Sequence, residues 1–275
     1  MYPAAMTIVN EYQEQRIALT LRQLYYQLVA RDIISNQQRE YKRLGTLVTD
    51  ARYCGLIDWR AIEDRVRVPK RAAQFDDLED LVDAALRSYR LDRWQDQPYY
   101  VELFTEKDAL SSILWPIADE HHIYFCVNRG YASATAIYDA SKRLQAAIYK
   151  DQIPVVLYLG DHDPSGLDMV RDIFDRLYEI LEVGRCLKVE HIALTWGQIE
   201  EYQPPPNPAK LSDSRAADYI AKHGEESWEV DALPPDTLYN VVHNAIKAYV
   251  DPDTLQEVLE QEAADKKRLI EAINL

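Results

Sequence analysis

From Tyr99 onward the chain alternates short apolar runs with longer stretches of helical periodicity, and few folds accommodate that succession. "YYVELF" (99–104), "IYFCV" (123–127), "PVVLYL" (154–159) and "KVEHIAL" (188–194) have the length and the β-branched and aromatic content of strands. Residues 108–119, 134–149 and 167–181 between them repeat apolar side chains at helical spacing. Strands that alternate with helices pair in parallel, because a crossover helix brings the chain back to start the next strand. The expectation is an α/β fold over residues 99–250: a mostly parallel sheet covered by helices.

The preceding residues follow a different pattern. Thr20 stands where an N-cap would, and Leu21, Leu24, Tyr25 and Leu28 follow at i, i+3, i+4, i+7. A second helix over about 39–53 places Leu44, Leu47 and Val48 on one face and Arg39, Lys42, Arg43 and Arg52 on the other. The alternation "RVRVPKR" (65–71) has the form of a basic hairpin wing. A helix pair followed by a basic ribbon is a DNA-reading layout, also found in small helical interaction domains. Charge is distributed accordingly: residues 1–73 hold 12 Lys+Arg against 8 Asp+Glu, whereas the whole chain is at −15. Phosphate contacts need local positive charge, not a basic protein overall. The expected organisation is a helix-turn-helix region at 1–73, a connecting helix and linker at 74–98, the sheet domain at 99–250 and a C-terminal helix at 251–275. In 75–90, Phe75, Leu78, Leu81, Val82, Ala85 and Leu86 are expected to face inward, and the C-terminal helix to pack on the body, with an exposed partner-binding helix as the alternative. No run reaches the length of a membrane span, the N-terminus lacks the layout of a signal peptide, and Cys54, Cys126 and Cys186 show no metal or disulfide spacing. A reduced, cytoplasmic protein is the expectation.

Two of the strands end in acids. Glu106 follows the first, and "GDHDPSG" brings Asp161 and Asp163 after the third. Ligands of parallel sheets bind beyond the carboxyl ends of the strands. Carboxylates that converge there repel one another unless a cation lies between them, and hard oxygen donors with room for water suit Mg²⁺. A helix-capping role for Asp161 or Asp163 is the alternative, with Glu102 and Asp168 as other acids nearby. His162 reads as a solvent-facing loop residue.

These motifs resemble the topoisomerase VI A subunit and the meiotic double-strand-break transesterase, which join a winged helix to a Toprim domain. The likeness rests on Glu106 with the "DHDPSG" acids, "VNRGYAS" (127–133), "SWEVDAL" (227–233) and "RQLYY" (22–26), and it spans about residues 15–250. Gln23 and Ser165 depart from it, standing where the family has an acid and an aromatic residue. The resemblance implies Tyr26 as a nucleophile that leaves a 5′-phosphotyrosyl link on double-stranded DNA, with Arg22 and Glu106 beside it. It further implies Mg²⁺ on Glu106, Asp161 and Asp163, a homodimer with Tyr and metal from different subunits, and a separate B-type ATPase subunit. Helical geometry separates the paired tyrosines: relative to Leu21, Tyr25 lies at about 40° on the apolar face and Tyr26 at about 140°, looking outward. Arg22, one turn before Tyr26, is expected to lower its pKa or hold a phosphate. A Toprim nuclease that uses metal-activated water, and a non-enzymatic DNA-binding protein, are the competing readings. Lys210 and Arg215 are further candidates for a DNA channel.

Overall fold

The computed structural model describes residues 2–14, 18–62, 72–128, 130–181, 186–209 and 212–273. The wing sequence at 65–71 and Lys210 lie outside these residues.

The sheet holds β1 (Tyr99–Thr105), β2 (Tyr124–Val127), β3 (Ile153–Leu159) and β4 (Lys188–Ala193), all parallel, in the order β2-β1-β3-β4. Each strand starts and stops within a residue of its apolar run. Side chains alternate between the faces of β1 and β3. Val101, Leu103, Val155, Leu157 and Leu159 join one core, and Phe104, Val156 and Tyr158 join another. The first core is closed by α5 (Ser111–Glu120) and by α10 (Pro235–Lys247), which follows the short α8 (Trp196–Tyr202) and α9 (Ala216–His223); the second is closed by α6 (Ala134–Ile148) and α7 (Pro164–Leu181). Helices therefore cover both faces, as strands buried on two sides require.

A third core belongs to the N-terminal helices α1 (Tyr2–Glu14), α2 (Leu21–Ala30) and α3 (Gln38–Tyr53). Thr20 caps α2 in a reciprocal box: its hydroxyl accepts from the Gln23 N–H at 3.2 Å, and Gln23 Oε1 accepts from the Thr20 N–H at 2.8 Å. Gln23 thus performs a local task that a carboxylate would also perform. Ala232, from the turn before α10, inserts into this core and joins it to the sheet domain.

Two expectations about helix faces change. α4 (Leu78–Ser88) is strongly amphipathic but buries no residue, and Phe75, Leu78 and Leu81 are exposed. An apolar stripe shows which face could be covered, not that the same chain covers it. α11 (Pro252–Ile273) buries only Glu262 and is tied to residues 89–91 by polar contacts, Glu262 to the Leu91 N–H at 3.1 Å and Asp265 to the Tyr89 hydroxyl at 2.9 Å. No helix among the described residues is long and apolar enough to cross a membrane.

Candidate functional site

β1 and β3 pair in register as far as Thr105 and Leu159, so the residues that follow emerge side by side at one end of the sheet. Glu106 Oε1 accepts from the Asp161 N–H at 3.3 Å. A third segment arrives through backbone pairing. β5 (Asn207–Pro208) pairs with β6 (Glu226–Ser227), and next to it Trp228 exchanges backbone hydrogen bonds with His162 at 2.9 and 3.1 Å. This places the Val230 N–H 2.9 Å from Asp161 Oδ1 and delivers Glu229 and Asp231 to the strand ends. Lys107, the residue after Glu106, occupies the middle: its Nζ is 2.8 Å from Asp161 Oδ2, 3.2 Å from Glu229 Oε2 and 3.8 Å from Asp231 Oδ1.

The N-terminal helices complete the cluster. Arg22 of α2 pairs with Glu229 and places Nε 2.6 Å from Asp231 Oδ2. Both Asp231 oxygens are buried, and no donor meets them in hydrogen-bonding geometry. Three carboxylates (Asp161, Glu229, Asp231) thus share two cations with Glu106 beside them, a set with excess negative charge. Arg22 also lies 5.6 Å from the centroid of the Tyr26 ring, and Asn207 lines the same cleft as Tyr26. This cleft of about 350 Å³ is lined by Arg22, Tyr25, Tyr26, Tyr41, Asn207 and Glu229 among others.

The paired tyrosines do not divide as helical geometry alone predicts. Tyr25 is buried and donates to Asn36 Oδ1 at 3.0 Å, as expected of a packed side chain. Tyr26 does point away from the apolar face of α2, yet it is only 4% exposed, because that second face meets the 229–232 turn and β5. Burial raises the Tyr26 pKa, and the opposing pull of Arg22 does not reverse this. Asp161 is more strongly perturbed. Burial, with Glu106 and Asp231 adding to it, pushes its carboxyl up to about 7 against the pull of Lys107. Asp231 and Asp161 outweigh the desolvation of Lys107 and raise its pKa, which holds it protonated.

The other residues singled out from sequence take varied places. Asp163 Oδ1 accepts from the Gly166 N–H at 2.7 Å and the Ser165 hydroxyl at 3.0 Å, capping α7. Gly166 is required there, since a Cβ would stand 2.1 Å from the Asp161 carbonyl oxygen. Glu102 lies within β1, fully buried and held by Arg143 through two 2.8 Å bonds, away from the strand ends. Asp168 accepts from Tyr131, Arg171 and Arg215, which restrains Arg215. His162 is not solvent-facing: it is buried among Trp196, Tyr219, His223 and Trp228, and burial with His223 and His191 nearby lowers its pKa to about 4. On α3, Arg39, Lys42 and Arg43 are exposed, but Arg52 stacks on Trp59 and donates to the carbonyls of Trp59 and Ile62. Arg52 therefore secures the turn after α3 instead of offering its charge to a ligand. Lys107, Asn207, Glu229 and Asp231 went unassigned in the sequence. Adjacency to Glu106 was a signal for Lys107 and membership of "SWEVDAL" one for Glu229 and Asp231, whereas Asn207 carried none.

Glu106 and Asp161 offer the one or two hard carboxylates that Mg²⁺ takes beside water and phosphate oxygens. Glu106, Asp161 and Asp163 do not close into a cage. Among the described residues, the only His/Cys/Asp/Glu trio with ligand atoms all within 4.8 Å of one another is Glu120, His121 and His243. What Glu106 and Asp161 could hold is an open site, with Lys107 moved from Asp161 Oδ2, and not an all-protein cage. Compared with protein-family models and with curated proteins, the chain matches none.

Proposed function

We propose that this protein cleaves double-stranded DNA by tyrosine transesterification, in the manner of a type IIB topoisomerase A subunit, with a winged-helix region at 1–73 and a Toprim domain at 99–250. The observation that carries the reading is the meeting of α2 with the strand-end acids: Tyr26 and Arg22 line one cleft with Glu229, which shares Lys107 with Asp161.

In this reading Arg22 leaves its carboxylates to grip the scissile phosphate, and Asn207, in the same cleft, orients the Tyr26 hydroxyl. The phenolic oxygen attacks phosphorus as its proton passes to a neighbouring carboxylate. The bond to the 3′ oxygen breaks, and Lys107, held protonated, supplies the proton that leaves a free 3′-hydroxyl. Mg²⁺, held by Glu106 and Asp161 with Asp163 adjacent, would supply charge stabilisation on the phosphate. Arg39, Lys42 and Arg43, all exposed, would hold the duplex backbone, Arg43 from an exposed pair with Glu40 at 3.7 Å. Tyr26 and the acids meet within one chain here. The homodimer and the ATPase partner rest on the family resemblance, and a double-strand break would need two such sites.

A second reading has its own support. Burial makes Tyr26 a poor nucleophile, while a carboxyl at about 7 is suited to deprotonate water, which favours a hydrolytic nuclease built on Asp161. Plasmid cleavage in Mg²⁺, stopped with detergent and resolved with and without proteinase, separates the two. A transesterase gives DNA that enters the gel only after proteolysis, and Tyr26→Phe and Asp161→Asn both abolish cleavage. A nuclease gives free ends, lost in Asp161→Asn and retained in Tyr26→Phe. No cleavage by the wild type, alone or with an ATPase subunit, defeats both and leaves a DNA-binding protein.

A further inference from the structure

The crossover after β1 returns the chain to the sheet end opposite the acids, and there α5 and α10 bring Glu120, His121 and His243 together. One ligand atom from each lies within 4.8 Å of the others, and His121 Nε2 is 3.1 Å from His243 Nδ1. Two nitrogens of one tetrahedral zinc ion, each at about 2.0–2.1 Å, stand about 3.3 Å apart. The imidazoles are already near that spacing.

Their supports are defined. His121 closes α5: its N–H donates to the Ile117 carbonyl at 3.0 Å, and its own carbonyl accepts from the Trp94 indole at 2.7 Å. Tyr239, one turn before His243 on α10, stacks on that imidazole with centroids 5.5 Å apart and planes 13° apart, and its hydroxyl donates to Glu120 Oε2 at 3.1 Å. Tyr239 thus orients one ligand by its ring and another by its hydroxyl, the role that outer groups play around bound metals.

We propose that Glu120, His121 and His243 form a site for a borderline transition-metal ion, Zn²⁺ above all, with water in the fourth position. Two imidazoles and one carboxylate suit Zn²⁺, whereas Mg²⁺ prefers oxygen donors, so the two ends of the sheet select different ions by donor chemistry. The ion would clamp α5 to α10, the helices that close one face of the sheet. Arg93 and Lys247 repel a cation at His121, and only three protein ligands are offered, so affinity falls well short of that of a closed four-ligand site. The competing explanation is an imidazole–imidazole hydrogen bond with no ion.

The test is equilibrium dialysis of the full chain against tens of micromolar Zn²⁺ with millimolar Mg²⁺ present, followed by elemental analysis. The wild type, His243→Gln, His121→Gln and the milder Glu120→Gln are compared, all retaining the three cysteines and His162. The expected result is one Zn²⁺ fewer per chain in each histidine variant and about tenfold weaker uptake in Glu120→Gln. Zn²⁺ should also raise the Tm of the wild type by about 5 °C, and that of His243→Gln hardly at all. Unfolding in EDTA identifies any variant that has failed to fold, and Glu120, exposed, then carries the test alone. No uptake by the wild type, or equal uptake by every folded variant, overturns the proposal.

Discussion

Two buried carboxylates on neighbouring strands show how differently one sheet can treat a charge. Glu102, inside β1, is fully buried and answered by one partner: both its oxygens take bonds from Arg143, and Tyr100 adds a third at 3.1 Å. Asp161, just beyond β3, is also buried, but it shares Lys107 with Glu229 and Asp231 and has Glu106 beside it. The first site is closed and balanced, with nothing left to offer a ligand. The second holds more carboxylates than cations, so it gains from any positive or phosphate-bridging group that enters. Charge balance, more than burial, separates an acid that holds the fold from one that is available for chemistry.

The largest effect expected from breaking this contrast is at the balanced site. Arg143→Met would leave Glu102 buried without a cation and cost about 3–5 kcal/mol in urea unfolding. Cleavage per folded molecule should be unchanged, and a loss of activity beyond the loss of fold would place Glu102 in the site after all. Asp161→Asn should do the reverse, abolishing cleavage while the fold survives. Its stability signature follows from the raised carboxyl. Protonation of Asp161 favours the fold, so this contribution is complete below the unfolded pKa of about 3.8 and is lost as pH rises through about 7. Wild type should therefore lose, relative to Asp161→Asn, on the order of 4 kcal/mol between pH 4 and 7.5. Parallel stability curves across that range would show that Asp161 is ionised throughout. Tyr26→Phe should be the mildest change, about 1 kcal/mol for removal of one buried hydroxyl. A cost of several kcal/mol, read by the same unfolding, would make Tyr26 a packing residue first.

The strands were legible in the sequence because each is a compact apolar run that must be buried on both faces, and their ends follow where the run ends. The Thr20 cap was legible for a similar reason, since a reciprocal box needs only residues three apart. So was the placement of Glu106 and Asp161, because a parallel sheet sends successive strand ends to one edge. Local spacing gave no access to α4, whose stripe remains uncovered, or to Tyr26, whose outward direction from its own helix is inward for the molecule. The burial of His162 is equally out of reach of local spacing, as its loop is roofed by the distant Trp228 and Tyr219.

Residue order and periodicity by themselves determined the α/β succession, the helical head and the two strand-end acids. Tertiary structure alone decided that Lys107, Glu229, Asp231 and Arg22 would join Asp161 and that Tyr26 would be buried. The reason is range. Periodicity and capping depend on neighbours within a turn or a strand, whereas the charge balance of a site depends on segments such as 226–232 that backbone pairing brings in from far along the chain.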